Sequence, residues 1–292
     1  MTNITLLLMN EKGLAVLDSL IKNQGSSSIH KVITARDKSV EKDYADEIIA
    51  LCNKNGIDCQ LRTDTLSLDT PFSLAIGWRW LIKKNPENKL IVLHDSLLPK
   101  NRGFNPLVTS LINGDKEIGV TALFSTDRYD EGPIIGQIAF PVHYPCKVQH
   151  AIASITKGYI ELAERICSDI IGGRNINTTI QNESLATYSL WRDEEDYRIE
   201  WNNSSTAIKR FVDAVGYPYS GATTLIDDLL FRVVDATVME DRKIENRTVG
   251  KVIFMDNDCP VVVCGTGLLR LDEMKNLEGE KFILKKFRSR FK

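Results

Sequence analysis

Two side chains that follow apolar stretches could together transfer a proton. The apolar run 90–93 ends on His94, and a second, β-rich run ends on Asp130 before Glu-Gly-Pro. Two buried strands that finish side by side would bring both side chains to the edge where open α/β sheets keep their active sites. A histidine beside a carboxylate that positions it is suited to acid–base chemistry, whereas a lone histidine is more often structural. The spacing alone leaves these two interpretations equally open.

The elements that would position this pair alternate between strand and helix. Apolar runs predict strands at 4–9, 30–34, 57–61, 90–93, 120–124 and 134–141. Amphipathic spacing predicts helices after the first strand, over 39–55, over 105–112 and from 147 to about 171. This alternation predicts an α/β fold with a doubly wound, mostly parallel sheet that is covered by helices on both faces.

A different pattern follows Gly172-Gly173. The polar stretch NINTTIQNES indicates a linker, and after a helix at 206–215 come short β-rich pieces at 222–226, 230–238, 248–255, 260–263 and 268–272. Their regular spacing predicts a small β-rich, barrel-like domain of the oligomer-binding kind. We therefore predict that the 292 residues form a catalytic domain over 1–172, a linker over 173–205 and a C-terminal β-rich domain over 206–292.

Composition narrows the classes of function. A net charge of -2 is not typical of a protein dedicated to binding nucleic acid. The strongly basic segment KKFRSRFK at 285–292 is typical of a solvated tail. The six cysteines lack the spacing of metal ligands, so we predict no metal site. The first turn, MNEKG, has no G-x-G-x-x-G and does not favour NAD. Without a signal-peptide pattern or a run of roughly 18 apolar residues, a cytoplasmic protein is expected.

Several motifs in order resemble one family. HDSLLPKNRG at 94–103, the helix after it, G-D-x-x-x-G-V-T at 114–121 and D-x-G-P-I-I at 130–135 resemble the formyltransferases that use 10-formyltetrahydrofolate. The downstream WRDEEDYRIEW, YPYSGA and VGKVI are similar to the C-terminal module of the tRNA and sugar enzymes of that family. The resemblance implies that an amine attacks the formyl group. It also implies that His94 stabilises the oxyanion, helps to move the proton, or does both, while Asp130 orients His94 and raises its basicity.

The resemblance also implies two groups of binding residues. On the folate side they are Trp78, Arg79, Trp80, Leu81, Leu98 and Tyr129, together with Asp130. On the side of the accepting substrate they are Asn10, Gly13, Ser96, Arg102, Gly103 and Asn105. For Trp80, packing in the core is an equally good explanation. For Asn10 and Gly13, an ordinary turn is the better explanation. Arg102 is better explained as a structural residue whose guanidinium makes paired hydrogen bonds.

One position departs from the family pattern. The usual catalytic asparagine lies two residues before the histidine, and Val92 stands there in this chain. Losing an oxyanion donor costs on the order of 100-fold in rate unless another group replaces it. Asn105 or Ser96 could compensate, the site could use His94 and backbone donors alone, or the chain could be a binding protein derived from an enzyme. The third explanation is disfavoured because the other site residues are present.

The accepting amine is inferred from weaker signals. The slightly acidic charge and the absent asparagine favour the sugar branch of the family over the tRNA branch. We expect a homodimer that formylates the amino group of a nucleotide-linked amino-deoxysugar for bacterial surface glycans such as O-antigen. The alternatives are a methionyl-tRNA formyltransferase, a non-catalytic folate or nucleotide binder, and a hydrolase that releases formate.

Overall fold

The computed structural model describes residues 3–64, 66–82 and 87–292. The chain divides into two compact units, the first made of 1–107, 116–141 and 151–190, and the second of 108–115, 142–150 and 191–292. Within the described ranges, no helix is long and apolar enough to cross a membrane.

The strands and helices of residues 3–190 follow the predicted alternation in part. The strands are β1 (Ile4–Leu8), β2 (Ile29–Thr34), β3 (Asp58–Leu61), β4 (Phe72–Ile76), β5 (Lys89–His94), β6 (Arg102–Gly103), β7 (Glu117–Phe124), β8 (Ile134–Pro141) and β9 (Tyr188–Ser189). The helices are α1 (Asn10–Gln24), α2 (Ala45–Lys54), α3 (Pro106–Asn113) and α4 (Val148–Ile171). The agreement is partial because β4 and the short strands β6 and β9 lie where no strand was predicted.

The main sheet of the first unit has the strand order β3-β2-β1-β4-β5-β7-β8. The first five strands in this order are parallel, which confirms the mostly parallel sheet predicted from the sequence. All five residues of the central strand β1 are buried, as expected for a parallel strand covered on both faces. β7 and β8 are antiparallel additions at one edge.

Helix α2 begins at Ala45 rather than at the predicted residue 39. Asp37 accepts hydrogen bonds from the backbone and the hydroxyl of Ser39, and Asp43 accepts one from the backbone of Ala45. Tyr44, just before the helix, has φ +58°. Short polar side chains that bond to nearby backbone compete with helix formation, so the helical spacing of residues 39–44 does not produce a helix.

The second unit contains a helix and an antiparallel sheet. α5 (Ser205–Val215) begins at Ser204, whose hydroxyl accepts the Ala207 N–H at 3.2 Å. The strands are β10 (Ala222–Ile226), β11 (Leu229–Met239), β12 (Val252–Asp256), β13 (Cys259–Val263), β14 (Leu268–Lys275) and β15 (Lys281–Phe282). Their order is β10-β11-β14-β13-β12, and β15 pairs with β14.

The basic segment at 285–292 is not a solvated tail, so that prediction was wrong. Phe291 bridges to Ile226 at the end of β10, and Arg290 bridges to Lys251 just before β12. The segment therefore joins the two edge strands of the sheet and gives it the predicted barrel-like closure. Phe291 is 1% exposed and its ring centroid lies 5.6 Å from that of Trp201, so one apolar side chain outweighs the basic composition of the segment.

We predict that Phe291→Ala lowers the free energy of unfolding by about 3 kcal/mol, because it removes a fully buried ring. Phe287 on the same segment is 49% exposed. Its replacement by alanine is the matched control, with an expected change within about 0.5 kcal/mol. Urea denaturation followed by tryptophan fluorescence measures both. Equal losses in the two variants would contradict the burial of Phe291.

Candidate active site

His94, the last residue of β5, lies at the carboxyl edge of the parallel strands and is 8% exposed. Its Nε2 atom is 2.9 Å from the carbonyl oxygen of Asn101. Because a carbonyl only accepts, Nε2 carries the hydrogen in this bond, and the lone pair of the neutral ring is on Nδ1. Nδ1 lies 3.6 Å from Oδ2 of Asp130. The ring can therefore take up a proton at Nδ1, and the resulting cation lies beside a carboxylate.

Asp130 reaches His94 by a different route from the predicted one. β7 is antiparallel to β5, and its last residue, Phe124, pairs with Ile91. At about 3.3 Å per residue, this pairing places the end of β7 about 10 Å from His94, toward the opposite edge of the sheet. The two strands therefore do not finish side by side, and the loop 125–133 carries Asp130 back to the carboxyl edge. The connection from β5 to β7 starts and ends at that edge, which forces β7 to run in the opposite direction.

Backbone contacts fix the carboxylate of Asp130. The residue has φ +55°, and its Oδ2 atom accepts the N–H of Gly103 at 2.9 Å. Gly103 has φ +97°, and a Cβ atom there would lie 2.7 Å from the carbonyl oxygen of Ser189. Only glycine fits this position without strain. The same oxygen that faces His94 is thus held by a turn that depends on glycine.

Arg102, next to Gly103 in this turn, is buried and bonds to a distant segment of the chain. It is 0% exposed, and its guanidinium donates to both carboxylate oxygens of Glu183, at 2.7 and 2.9 Å. It also donates twice to Oε1 of Gln181, at 3.1 and 2.8 Å. The Arg102 guanidinium holds the pKa of the Glu183 carboxyl below its usual value. Arg102 therefore joins the site to residues about 80 positions later and does not face an open substrate space.

A second charged group lies next to His94. The Asp95 carboxylate pairs with the Lys12 ammonium at 2.5 Å and accepts the Tyr159 hydroxyl at 2.5 Å. The side chains of Lys12 and Asp95 are only 11% and 21% exposed. Because Lys12 is in α1, Asp95 follows β5 and Tyr159 is in α4, this group connects three elements next to His94.

Val92 lies in apolar surroundings. It packs, with Trp78 and Ile82, against a buried cluster that includes Leu7 and Ala75. The position of the missing asparagine is therefore filled by core packing. Ser96, one of the groups that could compensate, is 3% exposed, and its hydroxyl has no hydrogen-bond partner in the described part of the chain.

The residues predicted on the folate side do not all gather at His94. Arg79 bonds to Asp37 after β2, and Trp80 lies under the Arg62 guanidinium after β3, so both are directed toward the far strands of the sheet. Leu98 is buried and Leu81 is 72% exposed. Tyr129 is 53% exposed, directly precedes Asp130, and has its ring centroid 6.0 Å from that of Phe104.

Trp78 differs from these residues because its indole N–H is buried and lacks a partner within the described ranges. In the parallel pairing of β4 with β5, Ile76 lies opposite Leu93, so the Gly77–Trp78 turn follows β4 at the level of His94. Trp78 is therefore packed on the core and follows β4 at the carboxyl edge that carries His94.

On the predicted substrate side, Asn10 and Gly13 begin α1. Asn10 has φ +59°, and its Oδ1 atom is buried without a partner among the residues the structure describes. A Cβ atom on Gly13 would lie 3.0 Å from Cβ of Leu8, so this glycine is explained by helix–strand packing. Asn105 has φ +48° and directly precedes α3.

Five residues that hold the site were not predicted from the sequence as site residues: Lys12, Asp95, Asn101, Gln181 and Thr187. Asn101 contributes only its backbone carbonyl to His94, which no side-chain pattern shows. Gln181 and Thr187 lie in or just after the polar stretch that indicated a linker. Only Asp95 carried a signal, since an acidic residue follows directly on the histidine in HDSLLP. Within 3–64, 66–82 and 87–292, no group of three or more His, Cys, Asp or Glu side chains could hold a metal ion.

The sequence matches the models of one family over two ranges. The family description "Formyl transferase" matches residues 72–155, and "Formyl transferase, C-terminal domain" matches residues 192–291. The first range includes His94 and Asp130, and the second includes the antiparallel sheet. The chain belongs to the formyl transferase family.

Relatives by sequence include methionyl-tRNA formyltransferases. The one from Lysinibacillus sphaericus is 30% identical over 206 residues, which cover 69% of this chain and 64% of that protein. The one from Nitrosomonas eutropha is 25% identical over 236 residues, which cover 79% of this chain and 72% of that protein. The match therefore spans less than two thirds of the length of the Lysinibacillus protein.

Solved structures with a similar fold include sugar N-formyltransferases. WlaRD, a sugar 3N-formyl transferase solved with dTDP and 5-N-formyl-THF, has a TM-score of 0.67 and 19% identity and covers 98% of this chain and 99% of its own. The N-formyltransferase from Helicobacter canadensis, in complex with folinic acid and dTDP-3-aminofucose, has a TM-score of 0.69 and 17% identity, with 97% and 100% covered. At these identities the likeness concerns the fold.

We predict that Asp95→Asn lowers the free energy of unfolding at neutral pH by about 3 kcal/mol, because it leaves the Lys12 ammonium without its buried partner. Burial raises the pKa of the Asp95 carboxyl, but Lys12 and Tyr159 more than offset this and hold it below the usual 3.8. A lowered folded-state pKa stabilises the fold above the unfolded pKa, and this stabilisation disappears as the pH falls through the folded value.

The deficit of Asp95→Asn should therefore be constant from pH 8 to about pH 5 and shrink only below about pH 4. Urea denaturation at several pH values measures it. The matched control is Asp18→Asn, which breaks an exposed pair with Lys22 at 2.5 Å and should change stability by about 0.5 kcal/mol or less. A deficit that disappears between pH 8 and pH 6 would contradict this role for Asp95.

Proposed function

We propose that this protein transfers a formyl group from 10-formyltetrahydrofolate to the amino group of a nucleotide-linked amino-deoxysugar. The observation that carries the proposal is the pair at the carboxyl edge, with Nδ1 of His94 3.6 Å from Oδ2 of Asp130. This separation is too long for a direct hydrogen bond, so both atoms remain available to a reacting group between or beside them. Formyl transfer to an amine requires a base at such a place.

The two contacts of His94 determine which ring nitrogen can accept the proton of the amine. Its Nε2–H bond to the Asn101 carbonyl fixes the ring and leaves Nδ1 as the accepting nitrogen. Nδ1 takes the proton that the attacking amine loses, and the Asp130 carboxylate stabilises the imidazolium that results. Asp130 is held for this task by the Gly103 N–H at 2.9 Å. The same imidazolium can then return the proton to the departing nitrogen.

The donor supplies an electrophilic formyl carbon, and the residues around His94 fit such a ligand. The buried indole N–H of Trp78 and the buried hydroxyl of Ser96 lack partners in the described part of the chain, so each can bond to a polar group that arrives. The exposed ring of Tyr129, next to Asp130, offers a flat face. We assign Trp78 and Tyr129 to the donor side and Ser96 to the reacting carbonyl oxygen. Arg79, Trp80 and Leu81 are assigned to the outer part of the donor site.

For the acceptor, the support comes from charge and from the similar folds. WlaRD and the Helicobacter canadensis enzyme, which cover nearly the whole chain, are described with dTDP or a dTDP-amino sugar. The net charge of -2 provides little attraction for a polyanion. Asn10, whose buried oxygen lacks a partner in the described ranges, can accept a hydrogen bond from the sugar or its amine.

A second candidate is methionyl-tRNA formyltransferase, favoured by the names of the relatives in sequence. Under either function we propose a catalytic domain over 1–172, a linker over 173–205 and a supporting domain over 206–292, with residues 179–189 of the linker packed in the same compact unit as His94. For the amino-deoxysugar substrate, we also propose a homodimer in the cytoplasm that serves the synthesis of bacterial surface glycans.

Removing the base should abolish most of the activity. We predict that His94→Ala and Asp130→Asn each lower kcat by about 100- to 10,000-fold, because general-base catalysis and its electrostatic support are lost. The KM for 10-formyltetrahydrofolate should change little. The control is His143→Ala, at an exposed histidine outside the site. Near-normal rates in either site variant would rule out this assignment.

The acceptor is tested by a panel of amines with 10-formyltetrahydrofolate. We predict that donor consumption requires a nucleotide-linked amino-deoxysugar, and that mass spectrometry finds its N-formyl product. Formylation of charged initiator tRNA with a steep salt dependence would support the second candidate instead. Release of formate without any amine would indicate a hydrolase, and no turnover with any acceptor would indicate a binding protein.

A further inference from the structure

Residues 179–189, which we call the strap, follow α4 and run along the two catalytic loops. Thr179 pairs with Ile134 at the start of β8, and Tyr188–Ser189 form β9, which pairs with Arg102–Gly103. The strap belongs to the same compact unit as His94 and Asp130. The backbone of Thr187 and Ser189 pairs with residues 99–104. Two side chains of the strap, Gln181 and Thr187, add hydrogen bonds to the backbone of the two loops.

Every hydrogen-bonding position of the Gln181 amide is used. Its nitrogen donates to the carbonyl oxygens of Asp130 and Gly132, at 2.6 and 2.8 Å. Its oxygen accepts twice from the Arg102 guanidinium, at 3.1 and 2.8 Å. Because a guanidinium only donates, the amide has one possible orientation, and its N–H groups must face the loop that carries Asp130. Gln181 is 6% exposed, so water does not replace these bonds.

Thr187 acts on the other loop. Its hydroxyl oxygen accepts the N–H of Asn101 at 2.8 Å, and its own N–H donates to the carbonyl oxygen of Pro99 at 3.1 Å. Asn101 is the residue whose carbonyl oxygen accepts from Nε2 of His94. One segment thus holds the backbone behind His94 through Thr187 and the backbone of Asp130 through Gln181.

We propose that Gln181 and Thr187 are positioning residues that set the distance between His94 and Asp130. The expected effect of these residues on the reaction rate rests on the proposed function, whereas their effect on the positions of the two loops does not. The loop 125–133 leaves a strand that ends away from the edge with His94, and among the described residues no strand pairing brings Asp130 to His94. The amide of Gln181 replaces that pairing.

The test uses an isosteric change. Gln181→Glu keeps an oxygen for Arg102 and removes both donors to the loop. We expect amide exchange at Gly103, whose N–H bonds to the Asp130 carboxylate, to become about 5- to 10-fold faster by NMR. We expect kcat to fall about 10- to 100-fold, as for a misplaced catalytic group, while the KM for 10-formyltetrahydrofolate stays within about threefold. The control is Ser184→Ala on the same strap, whose hydroxyl bonds to Asn182.

A second pair of variants covers the case in which Gln181→Glu does not fold. Thr187→Val removes the hydroxyl and should speed amide exchange at Asn101 and lower kcat about 10-fold, whereas Thr187→Ser retains the hydroxyl and should restore both. Unchanged exchange in the Gln181 and Thr187→Val variants, or faster exchange with unchanged kcat, would overturn the proposal. If the wild-type protein formylates no acceptor, the proposed function fails, and the exchange rates still decide whether the strap positions the two loops.

Discussion

A fully buried guanidinium requires acceptors for its N–H groups, and Arg102 obtains them from a segment about 80 residues later in the chain. Gln181 and Glu183 are brought in to satisfy it, and Gln181 then bonds to the backbone of Asp130. Removing either acceptor would leave buried N–H groups of Arg102 without a hydrogen-bond partner, which costs more than losing a surface contact. The hydrogen bonds that Arg102 requires therefore hold Gln181 and Glu183 in place. Gln181, which has no catalytic chemistry of its own, is held against the loop that carries the Asp130 carboxylate.

The topology of the sheet explains why such support is needed. In a wholly parallel sheet, each strand delivers its last residues to the same edge, and the pairing of strands aligns the site. Here β5 delivers His94 in that way, but β7 runs antiparallel and ends beside Ile91. Asp130 must therefore be carried back by a loop, which is positioned by hydrogen bonds rather than by strand pairing. The positive φ of Asp130 and Gly103 is part of this return.

Local sequence predicted the features that local forces determine. The continuous apolar run of β1 and the apolar run that ends at His94 gave the parallel strands, because burial on both faces leaves that pattern. Contacts between residues far apart in the chain leave no such sequence pattern. Gln181 and Thr187 lie in polar sequence, and Asn101 contributes a backbone carbonyl, which every residue has. Phe291 shows the converse failure: charged residues outnumber apolar ones in its segment, but the one buried phenylalanine determines where the segment lies.

The contacts of His94 also limit what the ring can do in the proposed reaction. Nε2 already donates to the Asn101 carbonyl, so Nδ1 is the single nitrogen that can exchange a proton with a substrate. A ring that accepts the amine proton at Nδ1 cannot at the same moment donate a second hydrogen bond to the developing oxyanion. That stabilisation must come from another donor, and Val92 in its apolar cluster cannot supply it. Ser96, two residues beyond His94, has a buried hydroxyl without a partner in the described ranges. A hydroxyl can donate to an oxyanion, so Ser96 is the side chain that we propose for this stabilisation.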